Sequence, residues 1–465
     1  VPEVTGAAGP LYLAIADALA TDVARGRLRP GTRLPPQREL AEALGVNLTT
    51  VTRGLAEARR RGLVEATVGR GTFVAVPPRG RPWGHLPGEE ARGFVDLTFN
   101  VPPEVGEPDL GRALAETLAA LARSPGACGD LLPYAPTPGR PADREAGAEW
   151  IARRGWRPDP SRLLVCVGAQ HALAVALAAL CGPRDVVLCE DLTYPGTRTL
   201  AATLHLRLEG VATDAEGIVP EAFEAAVRRH RPRALFCCPT LQNPTASILP
   251  TARREAIVAI ARAHGVTVVE DDAYGYLPAE TPPCFAALAP DVTVHVAGFS
   301  KSVAPGLRVG YLVAPDRASF DRFDGALRST AWMTPPLMAG VAAAWVGDGT
   351  AEASRVAVRR ALEERWEVAA AALAGLPFEG HPASPHLWVP LPAERPDDAF
   401  AAAARRHGVG VVAGHAFRAP GDAPARNGVR VCLGAPPSGD DLRRGLEVLA
   451  GLVREASTAS APALL

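Results

Sequence analysis

Six short apolar runs constrain this chain more than any other feature: 162–167, 185–189, 234–238, 266–270, 293–297 and 310–314. Each has the length of a strand, most end at a Gly, Pro or Asx turn, and helical patterns lie between them. Strands that are apolar on both faces must be covered on both, so the pattern implies an α/β body around a largely parallel sheet. At 465 residues the chain has room for about two to four domains, and no internal repeat is visible. With 48% hydrophobic and 21% charged residues, disorder throughout is excluded. No apolar run approaches the roughly 18 residues that cross a bilayer. The stretch 11–20 carries Asp17 and follows no basic residue, so it is not expected to be a signal peptide. The eight cysteines are scattered without a Cys-x-x-Cys pair, which points to buried thiols in a reducing cytoplasm and to no metal site.

Charge and punctuation divide the chain. Residues 1–76 hold ten arginines against seven acids, whereas the whole chain has a net charge of -1: a mildly basic head on an acidic body. Residues 77–93 are crowded with Pro and Gly and lack periodicity, so they read as a linker. Extended at about 3.1 Å per residue, it spans on the order of 50 Å. The body is then expected over 94–455, with a short tail at 456–465.

In the head, Leu11, Ile15, Leu19 and Val23 recur at helical spacing. A second helix is expected over Gln37–Leu44, stopped at Gly45, and Asn47 is placed to cap a third over 48–61. Val51, Leu55 and Ala58 give that helix a buried stripe, with Thr49, Thr50, Arg53 and Arg60 largely off it. Two β-prone arms within 63–74 flank Gly69-Arg70-Gly71, a hairpin with an arginine at its tip. Helix, helix, turn, helix, hairpin is the order of a winged helix-turn-helix, whose third helix enters the major groove.

The stretches Leu34-Pro35-Pro36-Gln37-Arg38-Glu39-Leu40-Ala41, Leu44-Gly45-Val46-Asn47, Thr50-Val51 and Gly69-Arg70-Gly71-Thr72-Phe73-Val74 resemble the GntR-type winged-helix domain. Pro36 and Asn47 stand where that family usually has serine. The resemblance implies a double-stranded DNA operator as partner, contacted by Arg38, Asn47, Thr49, Thr50, Arg53 and Arg70. A winged helix used for protein contacts is the competing reading, and the arginines available for phosphate weigh against it. Arg59-Arg60-Arg61 reads as a solvated helix end that offsets the helix dipole.

The 49 Lys and Arg residues include a single lysine, Lys301. Arginine serves wherever positive charge suffices, but its guanidinium stays protonated and cannot form a Schiff base, whereas a lysine with lowered pKa can. The count alone leaves chance survival and a required amine equally open. Around it, Ala297-Gly298-Phe299-Ser300-Lys301-Ser302-Val303-Ala304-Pro305-Gly306-Leu307-Arg308-Val309-Gly310-Tyr311 resembles the cofactor-lysine segment of fold-type I aminotransferases. The resemblance implies that Lys301 forms the internal aldimine with pyridoxal 5′-phosphate. It also implies that Arg308 binds the phosphate, with Ser300 in the same cofactor-binding set.

Further segments follow in the order that family requires. Val165-Cys166-Val167-Gly168-Ala169-Gln170 reads as strand, glycine turn and helix start, whose N–H groups at Gly168, Ala169 and Gln170 can cradle a phosphate. Glu190-Asp191-Leu192-Thr193-Tyr194-Pro195-Gly196 resembles the segment whose aromatic ring stacks on the pyridine, which implies that role for Tyr194. Gln242-Asn243-Pro244-Thr245 implies Asn243 on the cofactor's 3′-oxygen. In Glu270-Asp271-Asp272-Ala273-Tyr274 the family's Asp-x-x-Tyr spacing implies Asp271 on the pyridine nitrogen and Tyr274 on the 3′-oxygen, with Asp272 the rival for Asp271's place. Gly428-Val429-Arg430-Val431-Cys432-Leu433 implies Arg430 on the α-carboxylate of an effector or substrate. Tyr134, after Leu132-Pro133, resembles the tyrosine that reaches a neighbouring subunit's cofactor phosphate, which implies a homodimer. Three positions depart from the pattern: Gly298 for a phosphate-binding serine, Ala246 for a glycine, and Asp143 for a leucine. They bear on phosphate affinity and subunit packing. His171, His407 and His415 have no partners in sequence and read as structural.

Head and body together resemble the MocR-like regulators. The expected fold is an N-terminal winged helix-turn-helix followed by an α/β fold-type I transferase body, with a large parallel-sheet domain and a smaller C-terminal α+β part. The resemblance implies a dimeric, cytoplasmic, DNA-binding transcription regulator with no membrane partner. In it the imine at Lys301 exchanges with an effector amine or amino acid. A working class I/II aminotransferase that carries a DNA-binding head is the alternative, and a protein answering to the cofactor alone is a third reading.

Overall fold

The computed structural model describes residues 10–24, 27–28, 32–60, 63–67, 71–74, 93–124, 126, 128–421 and 426–459; for 24, 60, 65–67 and 456–459 only the backbone is described. The chain forms two compact units, Val1–His85 and Leu86–Leu465. The expected linker lies outside the described residues except for Gly93. The final helix, Gly439–Ala459, runs past the body boundary expected at 455.

The head contains helices α1 (Leu11–Ala24), α2 (Gln37–Leu44) and α3 (Leu48–Arg60), then an antiparallel hairpin of β1 (Val64–Thr67) and β2 (Gly71–Val74). Gly45 closes α2 in the left-handed region, with φ 63°, and its N–H reaches the Ala41 carbonyl. Asn47 Oδ1 accepts the Thr49 N–H at 2.8 Å and so caps α3. Ile15, Leu19, Leu40, Val51, Leu55, Ala58, Val64 and Val74 share one core. A Cβ at Gly54 would stand 3.0 Å from the Ile15 side chain, so glycine lets α3 approach α1 closely. Outside the sequence-based expectation, Arg33 forms an isolated antiparallel bridge to Phe73 of the wing. Arg61 and Arg70 lie outside the described residues.

In the body a seven-stranded sheet runs in the order Leu163–Cys166, Gly310–Val313, Thr293–Gly298, Thr267–Asp271, Ala234–Cys237, Val186–Glu190, Arg207–Val211. All neighbours are parallel except Gly310–Val313, which is antiparallel on both sides. Six strands coincide with the six apolar runs. The seventh, Arg207–Val211, sits at the edge and is only part-buried, so it never needed an apolar run.

Alternate side chains of these strands feed opposite faces. Val187, Phe236 and Val269 pack with Leu173, Phe320 and Phe323 on one side. Leu188, Leu235 and Val268 pack with Phe223, Ile257 and Phe285 on the other. A smaller C-terminal part holds an antiparallel sheet of His386–Pro390, Gly428–Cys432 and Val412–Ala413, covered in part by Asp397–Arg406 and Gly439–Ala459. The strand Val95–Asp96 pairs with Val409–Gly410, which stitches the start of the body to this part and carries residues 98–100 toward the large sheet. Among the described residues no helix is long and apolar enough to cross a membrane.

Two of the sequence departures are accommodated locally. Asp143 is buried, but Arg140 holds both of its oxygens at 2.8 Å. Ala246 carries φ 60°, the backbone region that glycine enters without strain.

Candidate functional site

The parallel strands end on one side of the sheet, and their C-terminal loops deliver the chemistry there. A cavity of about 390 Å³, within the range of small-ligand sites, is lined by Ala169, Gln170, Tyr194, Asn243, Asp271, Tyr274, Ser300, Lys301, Arg308 and Arg430. It therefore gathers most of the body residues singled out in sequence. Gly168 lies beside it: with φ 77°, it brings the start of helix Gly168–Leu180 so close to Arg308 that a Cβ there would sit 2.6 Å from the guanidinium. Tyr134 is not brought in. It is largely exposed and tilts against Trp332, with ring centroids 5.7 Å apart.

Lys301 follows the strand Thr293–Gly298 and is part-buried. Burial pushes its amine down to about 8, with Arg430 adding repulsion. Relative to an ordinary lysine near 10.5, that makes the neutral, nucleophilic amine roughly 300-fold more abundant at pH 7. Its Nζ donates to the backbone carbonyl of Asn100 and lies 5.7 Å from the centre of the Tyr274 ring.

Asp271 ends the strand Thr267–Asp271. Burial raises its carboxyl to about 6, against the lowering effect of the Ala273 N–H, which it accepts at 3.2 Å. Its rival does not line this cavity: Asp272 is bound by Arg154 at 2.6 Å, both side chains buried. Beneath these groups Glu190 is pushed up to about 8 by burial, so it stays largely uncharged at neutral pH; its Oε1 accepts the Cys238 N–H at 2.8 Å.

Arg430, on the strand Gly428–Cys432, donates from Nη1 to Asn243 Oδ1 at 3.0 Å and from Nη2 to the Thr98 carbonyl at 2.8 Å. Among the described residues its Nε is buried with no partner, and Gln170 Oε1 is likewise unmatched. Such groups are costly unless something answers them.

Sequence reasoning missed Asn100, whose side chain also lines the cavity, and His386 behind it. Asn100 Nδ2 donates to the Tyr274 hydroxyl at 2.9 Å and faces His386 Nδ1 at 3.1 Å. No local pattern marks either residue; long-range contacts place Asn100 here, among them the pairing of Val95–Asp96 with Val409–Gly410 and the bond from Arg430 to the Thr98 carbonyl. Cys238, Thr98 and Phe99 complete that wall. The three histidines read as structural have partners: His171 meets Thr330 at 2.8 Å, His407 the Ala403 carbonyl at 3.0 Å, and His415 meets Asp397 at 3.2 Å.

The arrangement fits pyridoxal phosphate. Lys301 is a desolvated amine for its aldehyde, Asp271 a buried carboxyl for a protonated ring nitrogen, and Tyr194 an aromatic wall. Arg308 and the start of helix Gly168–Leu180 form an anion cradle. Gly310 keeps that cradle compact, since a Cβ there would stand 2.7 Å from the Ala169 nitrogen.

On the head, Arg38, Asn47, Thr49 and Arg53 are exposed and Thr50 is part-buried. The Arg53 guanidinium lies over the ring of Tyr12, a residue of α1, at 4.6 Å. The wing arginine, Arg70, falls outside the described residues.

Residues 95–449 match the family model for aminotransferases of classes I and II, and residues 11–74 match that for bacterial regulatory proteins of the gntR family. The chain is 30% identical to the uncharacterized HTH-type transcriptional regulator YdeF of Bacillus subtilis (strain 168), over 97% of this chain and 96% of the relative. It is 32% identical to the HTH-type transcriptional regulator TauR of Rhodobacter capsulatus, over 71% and 72% of the two chains. Among solved structures, LysN, an α-aminoadipate aminotransferase from Thermus thermophilus complexed with N-(5′-phosphopyridoxyl)-L-leucine, superposes with a TM-score of 0.70. The two share 26% identity, and the match covers 82% of this chain and 97% of that one.

Proposed function

The chain belongs to the MocR-like transcription regulators, GntR-type winged helices fused to a class I and II aminotransferase body, and on that premise we propose that its body is an amine sensor built on Lys301. Pyridoxal phosphate supplies an aldehyde that condenses reversibly with primary amines and a ring that withdraws electrons when its nitrogen is protonated. Lys301 holds it, and an effector amine or amino acid competes for the same carbon.

The other residues bind and orient. Arg308, Ser300 and the Gly168-Ala169-Gln170 turn take the phosphate, Asp271 the ring nitrogen, Asn243 and Tyr274 the 3′-oxygen, and Tyr194 covers the ring. Arg430 takes the carboxylate of an amino-acid effector, and Tyr134 completes the phosphate site of a second copy in a cytoplasmic homodimer. Differential binding of the effector to two body conformations then alters how the head holds DNA through Arg38, Asn47, Thr49, Thr50, Arg53 and Arg70.

The observation that carries this reading is the position of the chain's single lysine, which lines one cavity with Asp271, Arg308 and Arg430. Borohydride reduction of the isolated protein is expected to leave a pyridoxyl adduct on Lys301, and gel-shift affinity is expected to change across a panel of amines. No adduct, or an affinity indifferent to both cofactor and amines, overturns it.

A second reading is favoured by the lowered pKa of Lys301 beside Asn243, Asp271, Tyr274 and Arg430. A free amine there can act as general base, and the body would be a working aminotransferase. Formation of pyridoxamine phosphate together with a keto acid distinguishes it.

A further inference from the structure

The side of the cavity lined by Asn100 and Tyr274 is organised by a residue with no place in the reading above. His386 starts the strand His386–Pro390, is fully buried, and lies between two groups whose polarity is fixed or made fixed by it. On one side its Nε2 is 2.9 Å from the backbone carbonyl of Gln242. A carbonyl only accepts, so Nε2 must carry the proton. On the other side its Nδ1 is therefore left with a lone pair, 3.1 Å from Asn100 Nδ2.

That lone pair settles which way the Asn100 amide points, an orientation otherwise ambiguous between oxygen and nitrogen. The amide nitrogen faces His386 and also donates to the Tyr274 hydroxyl at 2.9 Å. Tyr274, having accepted, keeps its own proton for an acceptor in the cavity. The same Asn100 offers its backbone carbonyl to Lys301 Nζ.

We propose that His386 is a positioning residue: it passes the polarity of the Gln242 carbonyl through Asn100 to Tyr274, and so leaves the Tyr274 proton and the Lys301 amine poised on one ligand. The anchor is rigid, because the Gln242 carbonyl also accepts the Ala246 N–H at 2.6 Å and the Gln242 side chain accepts from Thr245. The imidazole must stay neutral for the relay to keep one direction. Burial, reinforced by Arg430 and Lys301, pushes it down to about 3. The Tyr274 ring packs against it at 5.4 Å, edge to face.

Only the identity of what Tyr274 donates to, the cofactor's 3′-oxygen, rests on the proposed function; the relay itself belongs to the protein without cofactor. The test therefore has two independent readouts. In the cofactor-free full chain labelled with 15N-histidine, the resonances lost in the His386→Gln variant are expected to be those of a neutral Nε2–H imidazole, unchanged from pH 5.5 to 8. Titration of those resonances in that range, or an Nδ1–H tautomer, overturns the proposal.

In the chain loaded with pyridoxal phosphate, His386→Leu breaks the relay. It is expected to move the pH midpoint of the visible band by about one unit, the size of one lost hydrogen bond to a titrating group. His386→Gln can still donate to Gln242 and accept from Asn100, so its midpoint is expected to stay at the wild-type value. A Gln variant shifted as far as the Leu variant, or a Leu variant that does not shift, overturns the proposal. Should the Leu variant fail to fold, the tautomer and the Gln midpoint decide. Failure of borohydride to trap an adduct would remove the cofactor reading and leave the tautomer result standing.

Discussion

The amine of Lys301 donates to the backbone carbonyl of Asn100, so the loop that follows the strand Thr293–Gly298 is tied to the segment that opens the body. That contact does not compensate for the loss of water around the amine, whose pKa falls to about 8. Below pH 8 both folded and unfolded chains carry the proton, and the folded one bears the full desolvation cost. Between 8 and the unfolded value near 10.5 the folded chain has released it while the unfolded chain has not, so stability rises with pH. Lys301→Met is thus expected to stabilise the cofactor-free body by roughly 3 kcal/mol at pH 7, an advantage that fades by pH 10.5. Urea unfolding at the two pH values checks it; equal midpoints at pH 7 would mean that the amine is solvated.

Asp271 has the opposite sign. Its folded pKa is raised to about 6, so its penalty is complete above pH 6 and disappears as pH falls toward the unfolded value near 3.8. Asp271→Asn is expected to stabilise the cofactor-free body at pH 7, to have no such effect near pH 4, and to weaken pyridoxal phosphate binding. Unfolding midpoints and an absorbance titration measure the two halves. Unchanged cofactor affinity would remove Asp271 from the ring nitrogen.

Its neighbour serves the fold instead. Asp272 and Arg154 are both buried and joined at 2.6 Å, and Arg154 also donates to Thr281. Removing one partner of a buried pair leaves the other charge stranded and costs about 3–5 kcal/mol. Arg154→Met is expected to destabilise the body by that amount, whereas Asp272→Asn, which keeps an acceptor, is expected to cost less. Chemical denaturation of both variants checks the order.

These contrasts show where the sequence was informative. Asp271 ends an apolar strand and Lys301 and Tyr274 closely follow one, so their elements were legible locally, while Arg430 lies within the strand Gly428–Cys432. Their convergence on one cavity was implied by the family resemblance and not by spacing. The choice between Asp271 and Asp272 rested on motif register; the geometry that separates them is the Arg154 pair, which spans 118 positions. Asn100 and His386 were illegible for the same reason, since their contacts join residues 286 positions apart and neither stands in a chemical pattern of its own. The edge strand Arg207–Val211 escaped because one face meets solvent and Gly210 interrupts it.

Gly298 occupies the position where the aminotransferase family has a phosphate-binding serine. A Cβ there would have its closest contacts at 3.5 Å from the Val309 carbonyl and 3.7 Å from the Ala169 Cβ, ordinary van der Waals distances. Gly298→Ser is therefore expected to fold without strain and to place a hydroxyl beside the Ala169 N–H. One hydrogen bond to a charged phosphate, worth about 1.5–3 kcal/mol, would tighten pyridoxal phosphate by roughly tenfold or more. Competitive release of the cofactor against phosphate-containing buffer measures it, and unaltered affinity would place the phosphate elsewhere.

Arg430 performs two tasks that one substitution can separate. Its Nη1 and Nη2 are engaged by Asn243 and the Thr98 carbonyl, while Nε is buried and unanswered among the described residues. A carboxylate would complete that guanidinium edge, and losing it would cost an amino-acid effector about 1.5–3 kcal/mol. In Arg430→Gln the concentration of amino acid that shifts the visible band is expected to rise roughly 10- to 100-fold. The corresponding amine without a carboxylate is expected to act at nearly its former concentration, because it never used that edge. If the two ligands weaken equally, Arg430 only braces Asn243 and the Thr98 segment, and the carboxylate is read by another group.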